Sequence, residues 1–149
     1  KQRYVTVTGS PTLTYANNGL IVNTSVAQVG LVKNNFLTLP NNYEAEITCT
    51  YQTASAGCGL CFDDWLLDSG DSQTASTYKL STTSRLHSSL AKFNANDVIK
   101  IVKQGTSITY YLNGTLICTD TISDDNHLQQ FRTYRNRSTT FKDLKIKAL

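Results

Sequence analysis

The sequence predicts an all-β fold in which two antiparallel sheets pack face to face as a β-sandwich. The 149 residues lack Met and include few Glu, whereas the strand formers Val, Ile, Thr and Tyr are abundant. Turn signals rich in Gly and Asn recur at the short spacing typical of a sandwich. The segment Asp97–Thr121 spells out three antiparallel strands and both of their turns.

The turns of this segment are the clearest local signal. Gly105 marks the first turn and Asn113-Gly114 the second, because a type I′ turn needs positive φ at both central residues. A two-residue loop there predicts that Tyr110 faces Ile117 across the hairpin. Both faces of the ribbon are partly apolar, so we expect it to lie in a larger sheet under a second layer.

Strand propensity and turn signals predict twelve strands along the chain, more than an immunoglobulin domain holds. Two large packed sheets can accommodate them. The predicted strands are Arg3–Thr8, Gly19–Asn23, Ala27–Val32, Tyr43–Tyr51, Leu60–Leu66, Thr77–Ser81, Arg85–Leu90, Val98–Lys103, Ser107–Leu112, Thr115–Thr121, Leu128–Tyr134 and Thr140–Ala148.

Charge and hydropathy exclude two classes of partner. A net charge of +3 without a basic run disfavours nucleic acid. No apolar run approaches the roughly 18 residues of a membrane-spanning helix, so we expect no membrane partner. Lys1 leads almost directly into a strand without an initiator Met, and we expect residues 1–149 to be one sandwich domain cut from a longer protein.

The four cysteines are Cys49, Cys58, Cys61 and Cys118. The spacing of Cys58-Gly-Leu-Cys61 occurs in zinc and redox motifs, but such a zinc site needs a second pair and a redox motif needs a following helix. We expect Cys49 and Cys118 to be small core residues, with a disulfide as the open alternative.

Four segments, taken in order and spacing, resemble the concanavalin-A-like lectin and glucanase superfamily, the laminin-G-like jelly roll. They are Tyr43–Gln52, Gly57–Asp64, Asp97–Leu116 and Phe131–Leu149, the last with the closing pattern FKDLKI. The resemblance implies two curved sheets, a concave face that often holds sugar, and calcium in some branches. Many non-catalytic members are carbohydrate-binding modules of extracellular enzymes or of bacteriophage tail and baseplate proteins.

Catalysis is not expected from these residues. Retaining glycosidases hold two carboxyl groups about 5 Å apart, and the glucanase signature E-x-D-x-x-E does not occur. Glu44 and Glu46 share a strand face, but the resemblance puts that strand on the outer sheet, away from the groove. The sequence also lacks the G-x-S-x-G motif that would supply a nucleophilic serine for His87 or His127 to activate.

The predicted ligand-binding residues are aromatic or polar, because sugars bind aromatic plates and charged or amide groups in shallow sites. If the strand through Phe62 continues, Asp63 and Trp65 project together on the opposite face. In the alternative, Trp65 caps the core and the aspartates shape a turn. Simple alternation also puts Arg85 and His87 on one face. The predicted site is Asp63, Trp65, Arg85, His87, Arg132 and Tyr134, converging in the groove.

Calcium is the one cofactor considered, at Asp68-Ser-Gly-Asp71. That segment lacks the dense oxygen pattern of a dedicated loop. We therefore expect a solvated turn and no cofactor, with calcium as the alternative.

These observations favour a non-catalytic carbohydrate-binding module that recognises cell-wall or cell-surface saccharide. Its setting would be a phage tail or another adhesion protein, in a virion or outside the cell, beside other subunits or domains of the parent assembly. A structural or protein-binding jelly roll is the first alternative, and a glycosidase or lyase is the second.

Overall fold

The computed structural model describes residues 4–8, 11–16, 19–24, 30–34, 37–51, 58–69, 74–123, 126–134 and 137–149. Within these ranges fourteen antiparallel strands form two seven-stranded sheets, and no helix occurs. The predicted two-sheet β-sandwich is confirmed. In the described part of the chain no helix is long and apolar enough to cross a membrane.

In each sheet, several neighbouring strands are not consecutive in the chain, because the chain crosses between the two sheets. Sheet I runs β1 (Tyr4–Thr8), β4 (Gly30–Asn34), β13 (Gln129–Thr133), β6 (Cys58–Phe62), β7 (Trp65–Ser69), β8 (Thr74–Lys79) and β9 (Ser84–Ala91). Sheet II runs β12 (Thr115–Thr121), β11 (Ser107–Leu112), β10 (Val98–Gln104), β5 (Tyr43–Tyr51), β14 (Arg137–Ala148), β3 (Gly19–Thr24) and β2 (Thr12–Ala16).

The core lies between the sheets and is built from their inward-facing side chains. In β5 the alternation predicted from sequence is confirmed, since Tyr43 and Ile47 are buried while Glu44 is only partly so. The rings of Phe131 in sheet I and Phe141 in sheet II stack with centroids 4.0 Å apart. Each such buried side chain contributes about 1.5–3 kcal/mol through removal of apolar surface from water.

One strand prediction is wrong, and one strand was not predicted. The expected strand Leu60–Leu66 is a hairpin, because Asp63-Asp64 forms a two-residue turn and Phe62 pairs with Trp65. The strand β2 was not expected, because its residues are largely exposed and their pattern carries little hydrophobic signal. The first residues of the predicted strand Ala27–Val32 lie outside the described ranges.

The Asp97–Thr121 meander forms as predicted, with positive φ at Gly105, Asn113 and Gly114. Its last hairpin carries a β-bulge, however, so Tyr110 pairs with Cys118 rather than with Ile117. One extra residue on β12 moves every later side chain of that strand to the opposite face.

All four cysteines are buried and free. Cys49 and Cys118 belong to the core, which confirms their predicted place. Cys58 also points into the core, but Cys61 points outward from sheet I, because the interval of three residues along a strand reverses the face.

Candidate functional site

The outward face of sheet I presents two rows of cross-strand partners. Leu31, Arg132, Gly59, Asp68 and Ser76 form the first row, from β4 to β8. The second row runs one strand farther, to β9. It consists of Lys33, Gln130, Cys61, Leu66, Tyr78 and Arg85.

Four side chains gather on this face, and we call Cys61, Asp68, Arg132 and Tyr134 the Arg132 cluster. The guanidinium of Arg132 interacts with the Cys61 thiol, and the Tyr134 hydroxyl donates a hydrogen bond to the Asp68 carboxylate. Burial raises the pKa of Cys61 to about 12, an effect that Arg132 partly offsets. Burial first, and then Asp68, raise the pKa of Tyr134, so its phenol stays a donor at neutral pH.

Gly59 makes room for this cluster. A Cβ atom there would lie 2.8 Å from Leu66 Cδ1 and 3.1 Å from Arg132 Cβ. The absence of a side chain therefore lets the aliphatic part of Arg132 lie against the sheet, with the charged head beside Cys61 and Asp68.

Arg85 occupies the far end of the same face. Its guanidinium lies 5.6 Å from the centroid of the Tyr78 ring and donates to the Tyr78 hydroxyl at 3.2 Å. Four strand spacings of about 4.8 Å separate Arg85 on β9 from Arg132 on β13, or about 19 Å. The two arginines thus share a face but are too far apart to contact the same small ligand.

Asp63 and Trp65 do not lie on this face, so the predicted convergence of all six residues is wrong. Trp65 faces the core beside its partner Phe62 and is fully buried. Asp63 has φ of 55° in the hairpin turn, and its carboxylate accepts hydrogen bonds from the Tyr43 hydroxyl and the His127 amide, both at 2.8 Å. The alternative reading, in which the aspartates shape a turn, is the observed one.

Asp64 supports the same turn from its other side. Its carboxylate accepts bonds from the amide and hydroxyl of Ser81, both at 2.7 Å. Both carboxylates of the turn are therefore used for structure.

His87 is also displaced from its predicted place. Tyr78 pairs with Arg85 and Thr77 pairs with His87, so β9 holds one extra residue at Leu86. That bulge puts Arg85 and His87 on opposite faces. Arg85 points outward, whereas His87 faces inward beside the buried Thr77.

The inward turn of His87 creates a second group, which we call the edge cluster: His87, Cys118 and Asp120. The side chains come from β9 and β12, the edge strands of the two sheets, which contact each other. His87 Nδ1 lies 2.5 Å from Asp120 Oδ1, and Trp65 Nε1 donates to Asp120 Oδ2 at 2.9 Å. Burial, and secondarily Asp120, raise the pKa of Cys118 to about 12.

The sequence did not predict that Asp68 and Cys61 belong to the Arg132 cluster or that Asp120 belongs to the edge cluster. The sequence indicated Asp68 as a calcium ligand to be weighed and Cys61 as half of a C-x-x-C pair, and it did not assign either residue to the ligand-binding set. The pattern of β12 would have indicated Asp120 only if the bulge near Ile117 had been known, since that bulge sets its face.

Among the residues that the structure describes, no group of three or more acidic side chains gathers that would favour calcium. The edge cluster is the one described group of three or more metal-ligating side chains, and its nitrogen and sulfur donors do not suit a cation that takes oxygen ligands. Asp68 is engaged with Tyr134, and the rest of the considered calcium segment, Gly70 and Asp71, lies outside the described residues.

The outward face of sheet II is different in character. Glu44 and Glu46 lie there opposite lysines of β10 and β14, including Lys100, Lys145 and Lys147. Carboxylates and ammonium groups alternate across neighbouring strands, as on a solvated sheet surface. The two glutamates therefore lie on a different sheet from the Arg132 cluster.

No protein-family model and no curated protein sequence matches the chain. Solved structures show the same fold. The carbohydrate binding module CBM66 from Bacillus subtilis matches with a TM-score of 0.75 at 13% identity, over 98% of this chain and 96% of that one. A Bacillus subtilis protein of unknown function with a galectin-like fold matches with a TM-score of 0.80 at 10% identity, over 97% and 89%.

A third similar structure is the exoplasmic/lumenal domain of VIP36 in a form bound to Ca²⁺ and Man3GlcNAc. It matches with a TM-score of 0.71 at 8% identity, over 99% of this chain and 83% of that one. These similarities establish a lectin-like jelly-roll fold for the chain, in agreement with the resemblance read from its motifs.

Proposed function

We propose that this chain is a non-catalytic carbohydrate-binding domain and that the outward face of sheet I binds the saccharide, centred on the Arg132 cluster. The observation that carries the proposal is the juxtaposition of Arg132, Asp68 and Tyr134 on one sheet face. An arginine, a carboxylate and a phenol together offer donors, acceptors and a flat apolar ring, the groups that fix a sugar in a shallow site.

The cluster is held in place before any ligand arrives. Tyr134 is tied to Asp68, and the stem of Arg132 is supported by the bare backbone at Gly59. Side chains already fixed by neighbours lose less conformational freedom on binding. A small contact area of such fixed side chains can therefore still distinguish sugars by the arrangement of their hydroxyl groups.

The second row leads from Gln130 toward Arg85, with the buried side chains of Cys61 and Leu66 between its two ends. Gln130 and the Tyr78–Arg85 pair lie along it, and these groups bind hydroxyls or the apolar side of a ring. With a length of about 19 Å across four strand spacings, the face suits an oligosaccharide better than a single sugar. Arg132 would grip one unit and the Tyr78–Arg85 pair a more distant one.

The arrangement supports binding rather than hydrolysis. Among the described strand residues of the outward face of sheet I, Asp68 is the single carboxylate. A retaining or inverting glycosidase needs two carboxyl groups flanking the scissile bond. Glu44 and Glu46 lie on the other sheet and face lysines.

The fold similarity favours the same proposal, since one similar structure is a carbohydrate binding module and another carries a bound oligosaccharide. We further propose that the saccharide belongs to a cell wall or cell surface. The domain would be displayed in several copies outside a cell or on a virion tail, because avidity compensates for weak single sites.

A glycan array followed by calorimetry on the best saccharide tests the function. Substituting Gln for Arg132 removes charge-assisted hydrogen bonds worth about 1.5–3 kcal/mol, so we expect affinity to fall by about 10- to 100-fold. The matched control is Glu46→Gln, which removes a charge from the outward face of sheet II and should leave affinity unchanged. An Arg132→Gln protein that binds as tightly as the wild type contradicts the site.

The same array separates the alternatives. A protein-binding or structural jelly roll would retain no saccharide from the array or from isolated cell walls. A glycosidase or lyase would release reducing ends from the polysaccharide that it binds.

A further inference from the structure

The edge cluster brings three metal-ligating side chains together at the side of the sandwich where the two sheets meet. His87 extends from the edge strand of sheet I, and Cys118 and Asp120 extend at i, i+2 from the edge strand of sheet II. One imidazole nitrogen, one sulfur and one carboxylate oxygen all lie within 4.8 Å of one another.

The three donors differ in kind, and their combination selects among metals. Thiolate and imidazole suit Zn²⁺, which also accepts a carboxylate oxygen, whereas Ca²⁺ and Mg²⁺ take oxygen ligands. Three protein ligands leave one position of a tetrahedral ion open. The His87 side chain is 42% exposed, so the cluster has a path to solvent.

The surroundings of Asp120 resemble the support that a metal ligand needs. Its side chain is almost fully buried, and Trp65 Nε1 holds Oδ2 at 2.9 Å, which leaves Oδ1 directed at His87. Partners of this kind orient the ligand atom and fix its lone pairs.

Two cross-strand neighbours of the cluster carry buried hydroxyls, which is an independent observation. Thr77 is the cross-strand partner of His87, and Tyr110 is the cross-strand partner of Cys118. The hydroxyl oxygens of both are buried and have no hydrogen-bond partner among the residues that the structure describes. Buried polar groups without partners are rare, and a water carried by a metal ion is one way to satisfy them.

We propose that His87, Cys118 and Asp120 bind one Zn²⁺ ion, which joins the edge strands of the two sheets and keeps its fourth position for water or an external ligand. Binding releases the Cys118 thiol proton to solvent as the zinc–sulfur bond forms. Two ligands about 2.0–2.1 Å from a tetrahedral ion are about 3.3 Å apart. The His87–Asp120 contact of 2.5 Å therefore opens on binding, and the half-exposed His87 is the side chain free to move.

Cobalt spectroscopy on the metal-free, reduced chain tests the site. Titration with Co²⁺ should give one equivalent of binding, with a thiolate-to-cobalt charge-transfer band and the intense visible bands of a tetrahedral ion. Zn²⁺ should then displace the cobalt and erase both signals. We also expect the melting temperature to rise with added Zn²⁺, because the ion binds the folded chain.

Variants locate the ion. The charge-transfer band should disappear in Cys118→Ser and remain in Cys61→Ser, the matched control, since Cys61 is also buried but lies on the outward face of sheet I. His87→Gln should weaken Zn²⁺ binding by at least about 10-fold. Because His87 is partly exposed, this second variant stays informative even if Cys118→Ser fails to fold.

Three results would overturn the proposal. The first is no stoichiometric binding of Co²⁺ or Zn²⁺ by the reduced wild-type chain. The second is a charge-transfer band that persists in Cys118→Ser. The third is unchanged zinc affinity in His87→Gln, which would show that the edge cluster is only a hydrogen-bonded network.

Discussion

Asp63 shows how a residue expected at a ligand site can instead hold the fold together. It has positive φ, and its buried carboxylate accepts two hydrogen bonds, from Tyr43 on sheet II and from the His127 segment. His127 is fixed in turn, with its Nδ1 2.7 Å from the Leu39 carbonyl oxygen. The turn therefore connects sheet I to sheet II and to the segment before β13.

Stability measurements on two aspartates separate the role of this carboxylate from backbone strain. Asp63→Ala should lower the free energy of unfolding by about 3–5 kcal/mol, because it strands buried donors that were paired with a charge. Asp143→Ala is the control, since Asp143 also has positive φ, at 54°, but is exposed. It should cost only about 1–2 kcal/mol through left-handed strain. Equal losses in urea unfolding would contradict the role given to the Asp63 carboxylate.

Trp65 is a second residue that was expected at the ligand site but belongs to the core. A lone tryptophan after two aspartates is a reasonable sugar platform, but the ring is fully buried and its indole N–H is bound to Asp120. Replacing it by Ala would leave a core cavity that costs about 3–5 kcal/mol. Lost binding in that variant would report unfolding, so the saccharide site is better tested through Arg132.

At the scale of elements, the positions of strands could be predicted from the sequence. The face to which each side chain points could not be predicted in strands that contain a β-bulge. The bounds of β5, β11 and β12 agree with the predicted ones. The bulges in β9 and β12 leave no mark in the alternation of residues, because each inserts one ordinary residue. They decide the placement of His87 and Asp120.

Arg132, by contrast, lies on the face opposite Phe131 that simple alternation predicts. The strand β13 pairs with β4 and β6 without an irregularity, so simple alternation from Phe131 gives the correct face. The hairpin at Asp63-Asp64 was missed because Asp-Asp is a weaker turn signal than Asn-Gly.

At the scale of the whole molecule, two layers of unequal character follow from the sequence pattern. The outward face of sheet II carries paired lysines and glutamates, whereas the outward face of sheet I carries arginines, tyrosines and an aspartate. Composition and turn spacing predict the sandwich, whereas the contacts within the Arg132 cluster depend on which strands become neighbours. Neighbours such as β13 and β6 lie far apart in the chain, so this pairing could not be read from sequence spacing.

Buried thiols make the stability of the whole domain depend on pH. The pKa of Cys61 is raised from 9.0 to about 12. Below pH 9 the folded and unfolded chains both carry the thiol proton, and the contribution is constant. Between pH 9 and 12 only the unfolded chain releases it, so stability falls with rising pH, by up to about 1.4 kcal/mol per pH unit for this thiol.

Urea unfolding of wild type and Cys61→Ala at pH 7, 9 and 10.5 checks this dependence, using chelator to exclude metal. Lysines and tyrosines titrate in both proteins, so the difference between the two curves isolates the thiol. We expect the variant to lose less stability above pH 9. Parallel curves would show that the Cys61 thiol is not kept protonated by folding.

The most direct test of the central claim is to map a bound saccharide by NMR. The amide spectrum of the ¹⁵N-labelled chain would be recorded during titration with the best saccharide from the array. We predict saturable shifts at outward-facing positions of sheet I, strongest at Gly59, Asp68 and Arg132 and extending toward Tyr78. Saturable shifts confined to the lysine and glutamate face of sheet II, or unchanged spectra throughout, would contradict the account.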